Sequence, residues 1–333
     1  MTAQALAGEP LRSPEQVAER LLAVQGQDPR GARLAVRARS EGIAAADVDR
    51  ALTQERSLLI TWLNRGTLHL VRAEDYPLLQ QLTTPPLRTS AQRRLRQEGV
   101  GEKDTERAVR IVEKALADDG PQTRVQLRER LESKKVPTAK QALIHLLFLA
   151  AARGIAVRGP MVGKEHAYVL VRDWLGEQKP IDRDRALAEL ARRYLAGHGP
   201  AEDRDLARWA GLPLRDARAG LTAIAAELEE RPDGLVDLAK RAPAEPLPPP
   251  RLLGAFDPLL LGWTSREEVV GPHKLLVTNN GIFRPFALVE GRAVARWGLA
   301  GGKVTIEHLG KVSKRDVAAL EEDAQRVLEY LGS

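Results

Sequence analysis

The sequence contains no cysteine. Disulfides, thiolate nucleophiles, iron–sulfur clusters and cysteine-ligated zinc are therefore excluded, and a reducing interior is the natural compartment. The histidines, His69, His145, His166, His198, His273 and His308, stand far apart with no H-x-x-x-H pair, so no metal site is expected. No stretch approaches about 18 consecutive apolar residues, and no basic start leads into an apolar block. Neither a membrane span nor a signal peptide is expected, and the chain reads as soluble and cytoplasmic. Aromatic residues make up only 4%, too few to suggest an aromatic-lined pocket.

What is present is a chain of 333 residues, enough for two or three compact units at about 150 residues each. The net charge is +6, carried mostly by arginine, whose planar fork suits phosphate. Arginine and alanine also rise together in GC-rich genomes. Charge alone admits a nucleic-acid partner without requiring one.

Ser13 and Pro14, with Gln16 three residues after the serine, form a capping box with proline at the first helical position. Val17, Leu21 and Val24 follow at helical spacing, which predicts a helix from about 14 to 25. Gly26 is the expected left-handed terminator, and Asp28 before Pro29 the cap of a second helix carrying Leu34 and Val36. A third helix is expected from about Asp47 to Asn64, after which "GTLHLVR" alternates like a strand. Three helices and then a hairpin is the order of a winged helix unit, here 13–82.

A basic connector, "TTPPLRTSAQRRLRQEG", opens a second such unit at 83–178. Helices are expected at Thr105–Leu116, over "TRVQLRERLES" and over "PTAKQALIHLLFLAAARG", then two strands within "IAVRGPMVGKEHAYVLV". A third unit, 179–241, centres on "DRDLARWAGLPLRDARAGLTAIAAEL", a helix-turn-helix in which Gly211 closes one helix and Pro213 opens the next, with "RPDGLVDL" as its wing. The proline-rich "APAEPLPPP", 242–250, is a linker. Residues 251–333 turn to strands, "KLLVT", "IFRPFALV", "AVARW" and "KVTIEHL", with turns at "NNG" and "EGR" and a closing helix from Ser313. The fold class expected is mainly α with β: three tandem winged helix units plus a C-terminal α+β domain, a small barrel or curled sheet closed by that helix.

Five segments, "QGQDPRGARLAVRAR", "WLNRGTLHLVRAEDYPLL", "DLARWAGLPLRDARAGL", "AFDPLLLGW" and "NNGIFRPFALVEGRAVARW", occur in this order. Together they resemble the winged helix DNA-binding family that includes the AlkZ-type DNA glycosylases, from about Ser13 to the end of the chain. The resemblance implies a monofunctional glycosylase that removes alkylated purines from double-stranded DNA, without metal or cofactor and as a monomer. Some members of that family unhook interstrand crosslinks made by bacterial natural products. The family's catalytic signature is glutamine, an apolar residue, then glutamine or aspartate, just before the second helix of the first unit. Gln25 and Gln27 match the glutamine form, with Gly26 where the family has a bulkier residue.

The chemistry is consistent with two amides. Breaking a purine N-glycosidic bond passes through an oxocarbenium-like sugar and needs a good leaving group and a water on the far face. A purine alkylated at N7 or N3 is already cationic and leaves without an acid. A glutamine carbonyl accepts a hydrogen bond from the water, and its dipole faces the developing positive charge. An extended join between two helices directs residues two apart to the same side. Without the resemblance, Gln25 reads as the end of the helix face of Ala18 and Leu22, and Gln27 as a partner of loop backbone. Asp28 competes for water activation, but its place before Pro29 makes it a cap.

The remaining candidates concern DNA. His69, near Arg65 and Thr67, reads either as a DNA or lesion contact or as a packed histidine of the strand. Arg88, Arg93, Arg94 and Arg96 form the densest basic cluster, a phosphate clamp or a solvated face. Arg215 and Arg218 lie off the apolar side of the third unit's recognition-like helix. Trp62, Trp209, Trp263 and Trp297 read as core, and Asp257 in "AFDP" as a turn residue. The alternative function is a noncatalytic winged helix DNA-binding protein, such as a transcriptional regulator; an interaction scaffold has less behind it, since nothing resembles a peptide groove.

Overall fold

A computed structural model describes residues 1–163, 165–271, 273–278 and 280–332. Helix α1 (Pro14–Leu21) starts where its cap predicts, with the Gln16 amide donating to the Ser13 hydroxyl at 3.2 Å. It ends earlier than expected: the left-handed residue is Leu22 (φ 60°) rather than Gly26, and the chain is extended by strand β1 (Val24–Gln25). Leu22, Ala23 and Val24 are all buried, and their burial offsets the cost of the left-handed backbone. Helix α2 (Pro29–Arg37) begins at Asp28, and α3 (Ala45–Thr53) follows.

The third predicted helix is cut short, because 58–62 is not helical. Leu58-Leu59-Ile60-Thr61-Trp62 is a continuous apolar, β-branched and aromatic run without helical amphipathicity, and it forms strand β2 (Leu58–Trp62), paired with β3 (Leu68–Arg72). The "basic connector" is also ordered. After α4 (Tyr76–Thr83), it forms α5 (Pro85–Gln97), which opens on prolines at its first turn, where their missing N–H groups cost nothing. Helices α6 (Glu102–Asp119), α7 (Arg124–Ser133) and α8 (Ala142–Ala152) match the expected pattern, as do β4 (Ala156–Val162) and β5 (Glu165–Leu170). A short α9 (Val171–Leu175) precedes α10 (Arg183–His198), α11 (Asp203–Ala210) and α12 (Leu214–Ala223). Gly211 caps α11 in the left-handed conformation (φ 72°), and β6 (Leu228–Glu230) pairs with β7 (Val236–Leu238) as an antiparallel hairpin.

Beyond the proline-rich segment come β8 (Arg251–Leu253), α13 (Glu267–Val270), β9 (Phe286–Val289), β10 (Arg292–Ala300), β11 (Lys303–His308) and α14 (Lys314–Leu331). "KLLVT" is not a strand: Lys274–Leu276 is a 3-10 turn. Of the turn expected at 279–281, Asn279 lies outside the described residues. The sheet runs β11-β10-β9-β8, open at both edges. Of the barrel or curled sheet expected, these four strands form an open antiparallel sheet, too few to close around packed side chains.

The chain divides into two compact units, one of residues 1–49 with 184 to the C-terminus and one of residues 50–183. In the 50–183 unit the strands run β3-β2-β4-β5, and Leu95, Val112, Leu127, Leu146, Leu149 and Tyr168 share one core. Trp62 meets Phe148 edge-on at 5.7 Å. In the other unit, Leu34 of α2 packs with Leu252, Ala287, Trp297, Leu320 and Val327. A second cluster joins Leu6, Leu253, Leu260, Phe286 and Leu288. No described helix is long and apolar enough to cross a membrane.

Two contacts fix α2. A Cβ at Gly31 would lie 2.3 Å from the Ala255 carbonyl oxygen, so only glycine permits this approach. Just past the helix, Arg39 and Asp257, both 0% exposed, form a bidentate pair at 2.9 and 2.8 Å. The other donors of Arg39 reach the Gln4 carbonyl, the Gln4 side chain and the Ala35 carbonyl at 2.8, 3.1 and 3.0 Å, so the guanidinium is fully satisfied. Removing one partner strands the other charge in the interior. Asp257→Ala is therefore expected to cost about 3–5 kcal/mol in urea unfolding, with much of the loss recovered when Arg39→Met is added. Equal stability of Asp257→Ala and the native chain would contradict this account.

Candidate functional site

The Gln25–Asp28 segment lies in the first unit. Val24 and Gly26 are buried, Gln25 is 6% exposed, and Gln27 is exposed. Asp28 is the N-cap of α2: its Oδ1 accepts from the Gly31 amide at 2.8 Å, with Pro29 at the first helical position. The carboxylate next to the motif is thus engaged by the helix, as its position before proline predicts. Gln27, the residue immediately before it, presents an amide to solvent. The two glutamines differ in setting, one within the packing and one outside it.

The second unit holds Arg65 and Thr67 on the β2–β3 turn and His69 in β3. Arg65 is left-handed (φ 57°) and exposed, and Gly66 follows with φ 77°. The Thr67 hydroxyl donates to the Asn64 carbonyl at 3.2 Å. His69 is 2% exposed and pairs across the strands with Thr61; its Nδ1 lies 3.0 Å from the Thr67 carbonyl and donates to it. Burial, then the Arg65 charge, pushes the His69 pKa down to about 3, so the ring is neutral at physiological pH. Around it, Thr61 Oγ1 and both amide atoms of Asn64 are buried without a protein partner. Buried polar atoms of this kind are uncommon and mark a functional position or a bound water. The segment beginning "WLNRGT" contains Asn64 but not Thr61, and the expected helix across 47–64 concealed the strand and turn that hold them.

The arginines divide by engagement. Arg88 is half-buried and its Nε donates to the Ala152 carbonyl at 3.0 Å, which fastens α5 to the end of α8. Arg93, Arg94 and Arg96 are exposed on α5, where Arg94 reaches Gln97 at 3.1 Å. In the first unit, Arg215 projects from α12 with a side chain 84% exposed, close to Asp216 at 3.3 Å. Arg218 bonds Asp203, the first residue of α11, at 2.6 Å and so braces the helix-turn-helix. Trp209 and Trp263 surround His198, with Tyr194 stacked on the ring at 4.9 Å. The His198 Nδ1 donates to the Tyr194 carbonyl at 3.2 Å, and its Nε2 is buried without a partner.

The family described as "DNA glycosylase AlkZ-like" matches residues 18–330, and the chain belongs to it. An interstrand DNA cross-link repair glycosylase from Streptomyces sahachiroi is 28% identical over 349 residues, covering 96% of this chain and 91% of that protein. The solved structure of Streptomyces sahachiroi DNA glycosylase AlkZ is similar with a TM-score of 0.80 at 26% identity, over 100% of this chain and 94% of that one. A noncatalytic regulator is not favoured by likenesses whose names are those of glycosylases.

The buried histidines give a pH dependence whose sign is fixed. Burial pushes His198, like His69, down to about 3. In the unfolded chain each takes up a proton near pH 6.5, which the folded chain refuses until far lower pH. Stability is therefore flat above about pH 6.5 and falls as the pH drops toward 3, by about 1.4 kcal/mol per pH unit for each histidine. Urea unfolding of His198→Phe between pH 7.5 and 4.5 is expected to show one proton less in the slope. An unchanged slope would mean that His198 is protonated in the folded state.

Proposed function

We propose that this enzyme hydrolyses the N-glycosidic bond of purines alkylated at N7 or N3 in duplex DNA, including bulky adducts and interstrand crosslinks. Water attacks C1′, the C1′–N bond breaks with its electron pair leaving on the cationic base, and the proton of the water passes to solvent. Gln27 orients that water through its side-chain carbonyl, while Gln25 lines the same motif and its dipole faces the oxocarbenium-like sugar. The observation that carries this reading is the exposed Gln27 amide beside Asp28, whose carboxylate is occupied by the helix cap. Crosslinks enter because the curated relative is named for their repair.

The fold would serve this as three winged helix segments, 13–82, 83–178 and 179–241, with 242–250 a linker and 251–333 a β-rich domain. Exposed Arg93, Arg94, Arg96 and Arg215 would hold phosphates, and Arg65 and Thr67 would contact the duplex. His69, neutral and buried, would shape that turn from beneath. A monomer without metal or cofactor suffices for such chemistry.

The test is release of N7-methylguanine from a duplex under single-turnover conditions, read by alkaline cleavage at the abasic sites. Gln27→Ala is expected to slow release by about 100-fold or more, the effect of losing one preorganised polar group. Asp28→Asn keeps the rate within about threefold, because asparagine also caps, and the change appears in stability. The reverse ranking overturns the assignment.

A further inference from the structure

A cavity of about 590 Å³ opens in the first unit, lined among others by Arg37, Ser40, Pro249, Arg251, Arg326 and Tyr330. It lies at the C-terminal end of α2, a helix length of about 13 Å from Gln27 and Asp28 at the other end. One buried carboxylate in its wall is shared between two arginines. Asp323 accepts from Arg37 at 2.5 and 3.0 Å, from Arg326 at 3.3 Å and from the Leu252 amide at 2.7 Å. A carboxylate has about four acceptor sites, so Asp323 is saturated.

Arg251 stands beside this group without a carboxylate of its own. Its Nη1 donates to the Ala38 carbonyl at 2.5 Å and its Nε to the Pro249 carbonyl at 3.5 Å, which neutralises none of its charge. Burial pushes its pKa down to about 10, and although Asp323 opposes this, Arg39, Arg37 and Arg326 add to it. Arg39 is already matched by Asp257, and Arg326 also holds the exposed Glu322 at 2.8 Å. Two further carboxylates line the cavity, but Glu41 is held by Arg12 at 2.9 Å and Glu329 is exposed on α14, where solvent screens it. A half-buried, crowded guanidinium at a cavity wall is stabilised by an anion that it can hold bidentately.

We propose that this cavity is a phosphate-binding site, with Arg251 as its principal ligand and Arg326 at its rim. It is distinct from the glutamine motif and does not rest on the reaction assigned above. The phosphate group comes either from a free phosphate or phosphomonoester or from the DNA backbone.

The test is calorimetric titration of inorganic phosphate into the full-length protein at constant ionic strength, with chloride as the reference salt. The native chain is expected to bind one equivalent with a rise in melting temperature that chloride does not give. Arg251→Gln is expected to weaken binding by about tenfold or more, as loss of a charge-assisted pair does. Arg326→Gln, at the exposed rim and so with little risk to folding, weakens it less, and Arg172→Gln, exposed on the other unit, leaves it unchanged. Phosphate acting no differently from chloride, or Arg251→Gln or Arg326→Gln titrating like the native chain, overturns the proposal, as does an equal loss in Arg172→Gln. Repeating the titration with an undamaged duplex present separates the sources: displacement of phosphate assigns the site to the DNA backbone, and simultaneous binding assigns it to a free phosphate.

Discussion

The buried Arg39–Asp257 pair is the constraint on which the motif-bearing part of the fold depends. It ties the residues just after α2 to the turn before Leu259, whose amide also donates to Asp257 at 2.9 Å, and through Gln4 it fixes the start of the chain. An ion pair taken wholly out of water gains little net stability, because desolvation offsets most of the attraction. What it provides is intolerance of misplacement. Any arrangement that separates Arg39 from Asp257 leaves a bare charge in the interior, so α2 has one admissible position. Gly31 against Ala255 sets the distance of approach, and the Asp28 cap then fixes where the helix begins. The placement of Gln27 follows from these contacts rather than from contacts of its own.

Local signals were legible in the sequence, and long-range ones were not. Ser13, Asp28, Gly211 and Ser313 act within a few residues of themselves, and each caps the helix its neighbours suggest. The expected helix runs through residues 58–62 because an apolar stretch resumes there after only five polar residues, Thr53 to Ser57; the helix in fact stops in that polar stretch, where Arg56 is left-handed (φ 57°), and a buried strand follows. Helix α5 was hidden by its arginines, which suggest a solvated connector although Ala91 and Leu95 bury its inner side. Asp257 does make the turn its Phe-Asp-Pro context implies, yet its partner lies 218 positions away, and no spacing rule reaches that far. At the candidate site the cap function of Asp28 was readable, whereas the burial of Gln25 and the unpartnered Thr61 and Asn64 depend on packing.

Electrostatics gives these pieces one direction. The carboxylate at the motif is held by backbone, Asp257 and Asp323 are saturated by arginine, and the histidine of the β2–β3 turn is neutral. On the proposed reading, the group left to meet water is an amide, which neither takes up a proton nor carries charge at physiological pH. An amide is too weak a base to generate hydroxide and cannot protonate a leaving purine. It can orient a water that attacks a bond already weakened by the charge on an alkylated base. A normal purine, whose departure needs an acid, would find none in Gln25 or Gln27. Discrimination between damaged and intact DNA would then come from the reactivity of the substrate rather than from a close-fitting pocket, and a site that selects by lability can accept an adduct too large to enclose.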